Sequence, residues 1–418
     1  MRTSRTRHGA AAVALCASGA LILSACGGGG SSFGGASKTQ ATGPAKLTIM
    51  IGSSGDAETN AVKAAADAWG KKSGNTATVI AASDLGQQLG QGFAGGTPPD
   101  LFYTDAARIG DFAKAGNLYA YGDQVKSSNF LPSLVKAFSY KDKFQCAPKD
   151  YSTLALAINT DMWTAAGLTD ADIPKDWAGL ETVAKKLTKD KVTGLVFGTN
   201  GSGAFMKQAG GWVVSEDGKT MTADTPENLA GLQEIKKMMT AGSLKWNTDT
   251  TPAAGWGGEA LGKGIGAMTI EGNWIKGALT KDFPKIKAKF VELPQGPAGK
   301  GTLMFSNCWG IAAKSTHQKQ AVDLVKYLTS VDQQLAFTKA FGPMPSTAAG
   351  IAKFKTEYPD DAAFAAGGDY GQGPVNLPGF DPVMAAFNSK LATLGKGGDP
   401  KAMLAELQKN GTAAIAAG

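Results

Sequence analysis

The sequence predicts a two-lobe α/β protein. Short apolar segments that suit strands, such as residues 47–51 and 76–81, alternate with segments of helical periodicity such as 57–72. That alternation favours mainly parallel sheets. The part predicted to fold begins at Lys46 and has about 370 residues, which is too many for one small hydrophobic core. We therefore expect two lobes, each with its own core.

The N-terminus has the pattern of an export signal. Three arginines within the first seven residues precede an apolar run of about 15 residues, which is shorter than a membrane-spanning helix needs. The run ends in Leu-Ser-Ala followed by Cys26, which resembles the lipobox of bacterial lipoproteins. The resemblance implies a signal peptide over 1–25, a diacylglycerol on Cys26 and a location on the outer face of the cell membrane. An ordinary secretory signal with an incidental cysteine is the alternative.

A flexible tether is predicted over residues 26–45. This segment is rich in Gly, Ser and Thr and poor in apolar residues, so it cannot bury enough surface to fold.

The first part of the folded chain begins with a strand over 47–51 and a helix over 57–72 that Asp56 can cap. A strand over 76–81 and a helix near 85–93 follow. A Gly-Thr-Pro-Pro break separates that helix from a short strand at 101–103, and a helix over 105–115 ends at Gly116.

The later elements repeat this style. Residues 144–159 are strand-like except where Pro148-Lys149-Asp150-Tyr151 interrupts them, and further strands are predicted at 194–198 and 265–270. Thr225-Pro226-Glu227 has a capping hydroxyl, a first-turn proline and a carboxylate, which together begin a helix well. The other predicted helices are 181–188, one capped by Ser315 or Thr316, 332–341, and two that begin at Asp381-Pro382 and Asp399-Pro400.

Composition excludes several classes of function. The 42 Lys and Arg exceed the 35 Asp and Glu only mildly, and no basic cluster of the kind that binds nucleic acid is present. HExxH and CxxC motifs are absent from the sequence, and no pattern indicates a catalytic residue, a metal ion or a cofactor.

Tryptophans near predicted strand ends and Gly-rich loops indicate a carbohydrate site. A sugar ring stacks on a flat aromatic ring, while its hydroxyls bond to acids and amides. Each tryptophan taken alone is more often explained by core or edge packing. The four candidates are Trp246, Trp256, Trp274 and Trp309.

Five motifs resemble, in order, those of extracellular solute-binding proteins of ABC importers, in the sugar-binding family that includes maltose-binding protein. They are G-T-P-P-D-L-F at 96–102, the helix end A-K-A-G-N-L at 113–118, P-K-D-Y followed by N-T-D at 148–161, A-M-T-I-E-G-N-W at 267–274, and F-G-P-M-P at 341–345. Together they cover nearly the whole predicted folded segment.

The resemblance implies a periplasmic-binding-protein fold of type II, with several hinge crossings and a ligand cleft between the lobes. One lobe would comprise 46–148 and 309–345, and the other 149–308 and 346–418. The implied partners are a carbohydrate ligand and the permease subunits of an ABC importer, and the protein would act as a monomer. Two alternatives are a non-sugar solute, such as a polyamine, peptide or organic acid, and a surface glycan-processing enzyme.

The motifs also imply ligand contacts. Trp274 matches the tryptophan that commonly stacks on a sugar in this family, and Asp150 lies at the predicted crossing. The full predicted set is Trp274, Asp150, Tyr151, Ser152, Tyr103, Thr104, Asp105, Glu271, Asn273, Trp256, Phe380 and Asp381, with the loop at 52–58 expected to approach the cleft.

Beyond the lipobox residue Cys26, two cysteines remain, Cys146 and Cys308. The resemblance places them on neighbouring strands near the hinge, which implies a disulfide, and export makes one permissible.

Overall fold

A computed structural model describes residues 43–417. The predicted signal peptide, the lipidation of Cys26 and the tether up to residue 42 lie outside the described residues.

The strands are β1 Lys46–Ile51, β2 Thr76–Ala81, β3 Leu101–Asp105, β4 Ser139–Tyr140, β5 Lys143–Phe144, β6 Ala147–Pro148, β7 Ser152–Asn159, β8 Thr193–Phe197, β9 Leu244–Trp246, β10 Gly266–Gly272, β11 Ala288–Val291, β12 Thr302–Phe305, β13 Asn307–Ile311 and β14 Gly371–Gln372.

The α-helices are α1 Asp56–Ser73, α2 Leu85–Ala94, α3 Ala106–Lys114, α4 Pro132–Ala137, α5 Thr160–Ala165, α6 Trp177–Leu187, α7 Ser202–Gln208, α8 Pro226–Thr240, α9 Gly257–Gly262, α10 Ile275–Lys281, α11 Gln318–Leu328, α12 Val331–Phe341, α13 Ala348–Glu357, α14 Ala362–Gly367, α15 Phe380–Leu391 and α16 Pro400–Ala417. Short 3₁₀ helices lie at Gly122–Ser128, Asp170–Asp172, Thr199–Gly201, Asn247–Asp249, Pro359–Asp361 and Leu394–Lys396.

Two sheets organise the molecule. The first has five strands in the order β2-β1-β3-β13-β6, and the second has seven, in the order β14-β12-β7-β10-β8-β9 with β11 also paired to β7. Each sheet has its own hydrophobic core, one built mainly from residues 45–147 and 308–337 and the other from 154–303 and 375–407. We call these parts the first-sheet region and the second-sheet region.

Both sheets are mixed, so the prediction of mainly parallel sheets is wrong. β1 pairs in parallel with β2 and β3, but β13 runs antiparallel to β3 and β6. In the second sheet the central strand β7 runs antiparallel to β10, β11 and β12. The chain runs from β6 into β7 through 149–151 and from β12 into β13 through residue 306, so it crosses between the sheets in opposite directions. The strands on either side of these two crossings therefore pair antiparallel in both sheets.

The chain passes between the regions at three places: 149–151, residue 306 and 342–347. At the first and third, Tyr151 and Met344 form a backbone bridge. The first sheet includes β6, which ends at Pro148, and β13, which begins at Asn307. The division into lobes at 148 and 309 stays a prediction.

Helix ends follow the capping chemistry of the sequence at some positions and differ from expectation at three. One is α11, whose N-cap is His317 and not the expected Ser315 or Thr316. Thr225 caps α8 and Asp105 caps α3 through their side chains. Asp56 lies inside α1, where a carboxylate suits the first turn, and Gly55 precedes it. Asp381 is also inside its helix, because α15 already begins at Phe380 after Gly379, whose φ is 75°.

The two cysteines connect β13, which contains Cys308, to the residue directly before the edge strand β6. Cys146 and Cys308 form a disulfide with a Cα–Cα distance of 5.7 Å, and both are fully buried.

Candidate ligand-binding cleft

A polar pocket of about 180 Å³ lies between the two sheets, at the place where the chain crosses from one to the other. The loop after β1 contributes Gly52 and Ser54 and the first turn of α1 contributes Glu58, since the carboxyl end of a strand in an α/β sheet opens toward such a crevice. The remaining lining residues come from the crossings, from β13 and α12, and from the second-sheet region: Lys149, Asp150, Tyr151, Ser152, Asn273, Trp274, Phe305, Ser306, Asn307, Phe341 and Pro343.

One end of the polar pocket, which we call the lysine corner, consists of Glu58, Lys149 and Asp150. The ammonium Nζ of Lys149 donates to Glu58 Oε1 at 3.1 Å and also to the carboxylate of Asp150. Glu58 is 4% exposed and Lys149 is 7% exposed. Buried charges of this kind are tolerated when they are paired and hydrogen-bonded.

Charge pairing decides how these three groups ionise. Burial alone would raise the pKa of Glu58, but Lys149 and the hydrogen bonds from Ser54 outweigh it and lower that pKa. For Asp150, burial outweighs the attraction of Lys149 and raises the pKa. Burial disfavours the Lys149 cation, yet the two carboxylates raise its pKa. One cation shared by two buried carboxyls thus leaves the second carboxyl harder to ionise.

Tyr103 packs against this corner, whereas Thr104, the next residue of β3, does not line the polar pocket. Both are buried in β3, whose neighbours β1 and β13 cover it on each side. The ring centroid of Tyr103 lies 4.6 Å from Lys149 Nζ and 4.8 Å from the Trp309 ring. The structure thus places the predicted ligand contact Tyr103 under the lysine, as a cation–π partner.

The opposite end of the polar pocket, which we call the tryptophan corner, contains Trp274 and the residues that hold it. The indole Nε1 donates to Glu271 Oε2 at 3.0 Å, and the backbone N–H of Gly257 donates to Glu271 Oε1 at 3.0 Å. The indole meets the Phe305 ring edge-on at 5.5 Å. Asn273 connects this corner to the crossings, because its backbone N–H donates to Ser152 Oγ at 2.9 Å and its side chain donates to the Gly342 carbonyl.

Trp256 is close in sequence to these residues but faces another core. Its ring lies against the backbone of Gly258, where a Cβ would come within 2.2 Å of it. It packs with a cluster that contains Leu261 and Ile275. The structure does not bring it into the polar pocket.

A second, apolar pocket of about 180 Å³ adjoins the first at Phe305, which lines both. Phe380 is buried in its wall, and Asp381 lies at its rim together with Ala107 of the first-sheet region. Other lining side chains are Met206, Trp212, Leu303, Val375, Met384 and Phe387.

Charged and polar contacts connect α3 to the segment before and within α15. Arg108 Nη2 lies 3.3 Å from Asp381 Oδ2, and its Nε lies 3.6 Å from Asp105 Oδ2. The Asn376 Oδ1 atom accepts from the Gly110 backbone N–H at 3.0 Å, and its amide donates to the carbonyl of Ala137 at 2.8 Å. Asp105 and Asp381 are therefore brought together by one arginine.

Sequence reasoning missed Lys149 and the lining of the apolar pocket. Lys149 directly precedes Asp150 in the crossing motif, so a lysine beside a cleft acid was the available signal. Trp212 and Met384 have no local pattern that separates them from core residues. Within residues 43–417, no group of three or more His, Cys, Asp or Glu side chains is arranged to hold a metal ion.

The chain matches the family of bacterial extracellular solute-binding proteins over residues 64–366. A probable ABC transporter-binding protein of Deinococcus radiodurans is 28% identical over 306 residues, which is 65% of this chain and 69% of that protein. Among residues 43–417, no helix combines the length and apolar character needed to cross a membrane.

Solved structures share the fold. The GacH receptor of Streptomyces glaucescens, solved without ligand and with acarbose, has a TM-score of 0.76 at 22% identity, covering 90% of this chain and 99% of that one. An ABC substrate-binding protein of Listeria monocytogenes in complex with cycloalternan has a TM-score of 0.79 at 20% identity, covering 90% and 100%. These matches confirm the predicted two-lobe fold. With the family match, they establish that the chain belongs to the bacterial extracellular solute-binding proteins and is a binding protein, not an enzyme.

Proposed function

We propose that this protein captures a sugar or oligosaccharide between its two lobes and delivers it to the permease of an ABC importer. The observation that carries the proposal is the tryptophan corner, where an indole faces a polar pocket that also contains carboxylate, amide and hydroxyl groups. An aromatic surface beside such groups suits a sugar, which has apolar C–H faces and polar hydroxyls.

The two lobes would correspond to the two sheet regions, with 46–148 and about 307–345 on one side and the rest on the other. A ligand held by both would favour the closed arrangement through the contacts made only in that state. In this proposal Trp274 stacks on a sugar ring while Asp150, Ser152 and Asn273 bond to hydroxyls. Phe380 and Asp381 line the apolar pocket, where a longer ligand would extend, and Arg108 connects Asp105 to Asp381.

The relatives support a carbohydrate ligand and an importer. The Deinococcus protein is named as a probable ABC transporter-binding protein, and the Streptomyces and Listeria structures contain acarbose and cycloalternan. The lysine corner argues against a polyamine, because its carboxylates are already paired with Lys149.

The test is calorimetry with a panel of mono- and oligosaccharides. We expect at least one to bind with a dissociation constant of about 10 μM or lower, and Trp274→Ala to weaken that binding by about 10- to 100-fold. Trp256→Ala is the matched control, since that ring packs outside the polar pocket, and it should change affinity little. If every sugar fails while a polyamine or peptide binds, the ligand assignment is wrong.

The membrane anchor needs a separate test. We propose that Cys26 carries the lipid and that the monomeric protein stays on the outer face of the cell membrane, tethered by residues 26–45. Cys26→Ser should release the protein into the medium without altering sugar affinity. Retention of the variant in the membrane fraction would contradict the anchor.

A further inference from the structure

Two glycines leave the space in which Glu271 and Trp274 form their hydrogen bond. Glu271 lies three residues before Trp274, with Gly272 between them. A Cβ at Gly272 would come within 2.2 Å of the indole, so the ring can fold back over the backbone only because residue 272 is glycine. A Cβ at Gly257 would come within 2.6 Å of Glu271 Oε1. Both glycines therefore make room for this pair.

The carboxylate is itself fixed. One oxygen accepts the Gly257 backbone N–H and the other accepts the Trp274 indole N–H, each at 3.0 Å. Glu271 is 8% exposed, so water contributes little to holding it. Because the indole is only partly buried and its N–H has this acceptor, turning the ring about its side-chain torsions would break the bond.

We propose that Glu271 is a positioning residue: its carboxylate holds the indole of Trp274 in the orientation on which a sugar ring stacks. This inference rests on the proposed function, and it changes the expected role of Glu271 from a direct ligand contact to an action through Trp274. It also explains why residue 271 is a glutamate although it is buried and none of its hydrogen-bond donors among residues 43–417 is a cation.

The surroundings make this hydrogen bond sensitive to pH. Of the charged groups on the adjacent helices, Glu259 and Lys263 of α9 pair with each other, and Lys276 of α10 pairs with Asp361. Because both lysines are paired with other carboxylates, burial is the dominant influence on Glu271 and raises its pKa to about 7. The N–H groups of Trp274, Gly257 and Gly272 act in the opposite direction. The ionised carboxylate accepts both N–H bonds, and protonation weakens one of them. We expect the indole to be held more firmly at pH 8 than at pH 6.

The first experiment needs no ligand. The eight tryptophans give eight indole N–H signals in a ¹⁵N-labelled protein, and Trp274→Phe identifies the signal of residue 274. That signal should shift with a midpoint near pH 7. The shift should vanish in Glu271→Gln and persist in Glu259→Gln, which alters an exposed carboxylate nearby. A Trp274 signal that does not titrate, or that titrates equally in Glu271→Gln, overturns the inference.

The second experiment measures binding, with maltotetraose as the probe. Glu271→Gln should weaken binding about five- to tenfold at pH 8, and its affinity should vary less between pH 6 and pH 8 than that of the unaltered protein. Equal affinities and equal pH profiles would contradict the positioning role. If maltotetraose does not bind the unaltered protein, it is excluded as a ligand. The titration of the indole signal then still decides whether Glu271 is a positioning residue.

Discussion

The lysine corner and the tryptophan corner each bury a glutamate, but the two side chains are stabilised by different means. Glu58 forms an ion pair with Lys149 and accepts two hydrogen bonds from Ser54, and its pKa is lowered. Glu271 receives only uncharged N–H donors, and its pKa rises to about 7. The exposed fractions are similar, 4% and 8%. Uncharged donors alone therefore do not offset the burial of Glu271, whereas Lys149 and the Ser54 hydrogen bonds together do so for Glu58.

This difference assigns separate properties to the two ends of one pocket. In the lysine corner the pKa of Glu58 is lowered and that of Lys149 is raised, so this ion pair is favoured, and it connects the crossing at 149–151 to α1. The tryptophan corner changes its protonation near neutrality. Four predictions test whether the two corners differ in this way.

Removing the lysine should have the largest effect. Lys149→Met leaves Glu58 and Asp150 buried without a cation, and we expect the free energy of unfolding at pH 7 to fall by about 3–5 kcal/mol. Both carboxyls should then resemble Glu271, so the loss should shrink as pH falls. Urea unfolding at several pH values measures this. The control Lys263→Met breaks an exposed ion pair and should cost less than about 1 kcal/mol. Similar losses in the two variants would refute the comparison.

The pH dependence of stability should identify Glu271. Its folded-state pKa lies above the ordinary value of 4.5, so its contribution is most favourable below about pH 4.5 and is lost as pH rises through about 7. The difference amounts to about 3 kcal/mol. Glu271→Gln should therefore gain stability relative to the unaltered protein between pH 5 and pH 8, while its sugar binding weakens. A variant that loses both would indicate a purely structural role.

The apolar pocket should contribute less than either corner. Met384→Ala removes part of its lining, and we expect the affinity for maltotetraose to fall about three- to tenfold, with a smaller change for maltose. Calorimetry with the two sugars tests whether a longer ligand reaches this pocket. Equal losses for both would place the whole ligand elsewhere.

The smallest effect is expected at Arg108. Its guanidinium and both carboxylate partners are more than a third exposed, so Arg108→Gln should lower the free energy of unfolding by less than about 1 kcal/mol. Thermal unfolding at low and high salt checks this, since salt screens an exposed pair and should reduce the difference further. If Arg108→Gln lowered the free energy of unfolding as much as Lys149→Met, the exposure of a charged group would not determine how much its ion pair stabilises the protein.

The sequence anticipated local features better than relations between distant segments. Helix α8 begins where Thr225-Pro226 predicts, and Asp150, Ser152, Asn273 and Trp274 all line the polar pocket. Strand direction was mispredicted, because it depends on how the chain returns at 149–151 and 306. Tyr103 was expected at the cleft, yet its ring lies under Lys149, and only the fold reveals a contact between residues 46 positions apart.

The disulfide bears on when the protein becomes stable. Cys146 and Cys308 are separated by 162 residues, and closing so long a loop in the unfolded chain stabilises the folded state by about 5 kcal/mol in the chain-entropy description. Because thiols stay reduced in the cytoplasm, we expect that contribution to be absent there and to arise only after oxidation outside it. The chain should therefore unfold more easily before oxidation than after it.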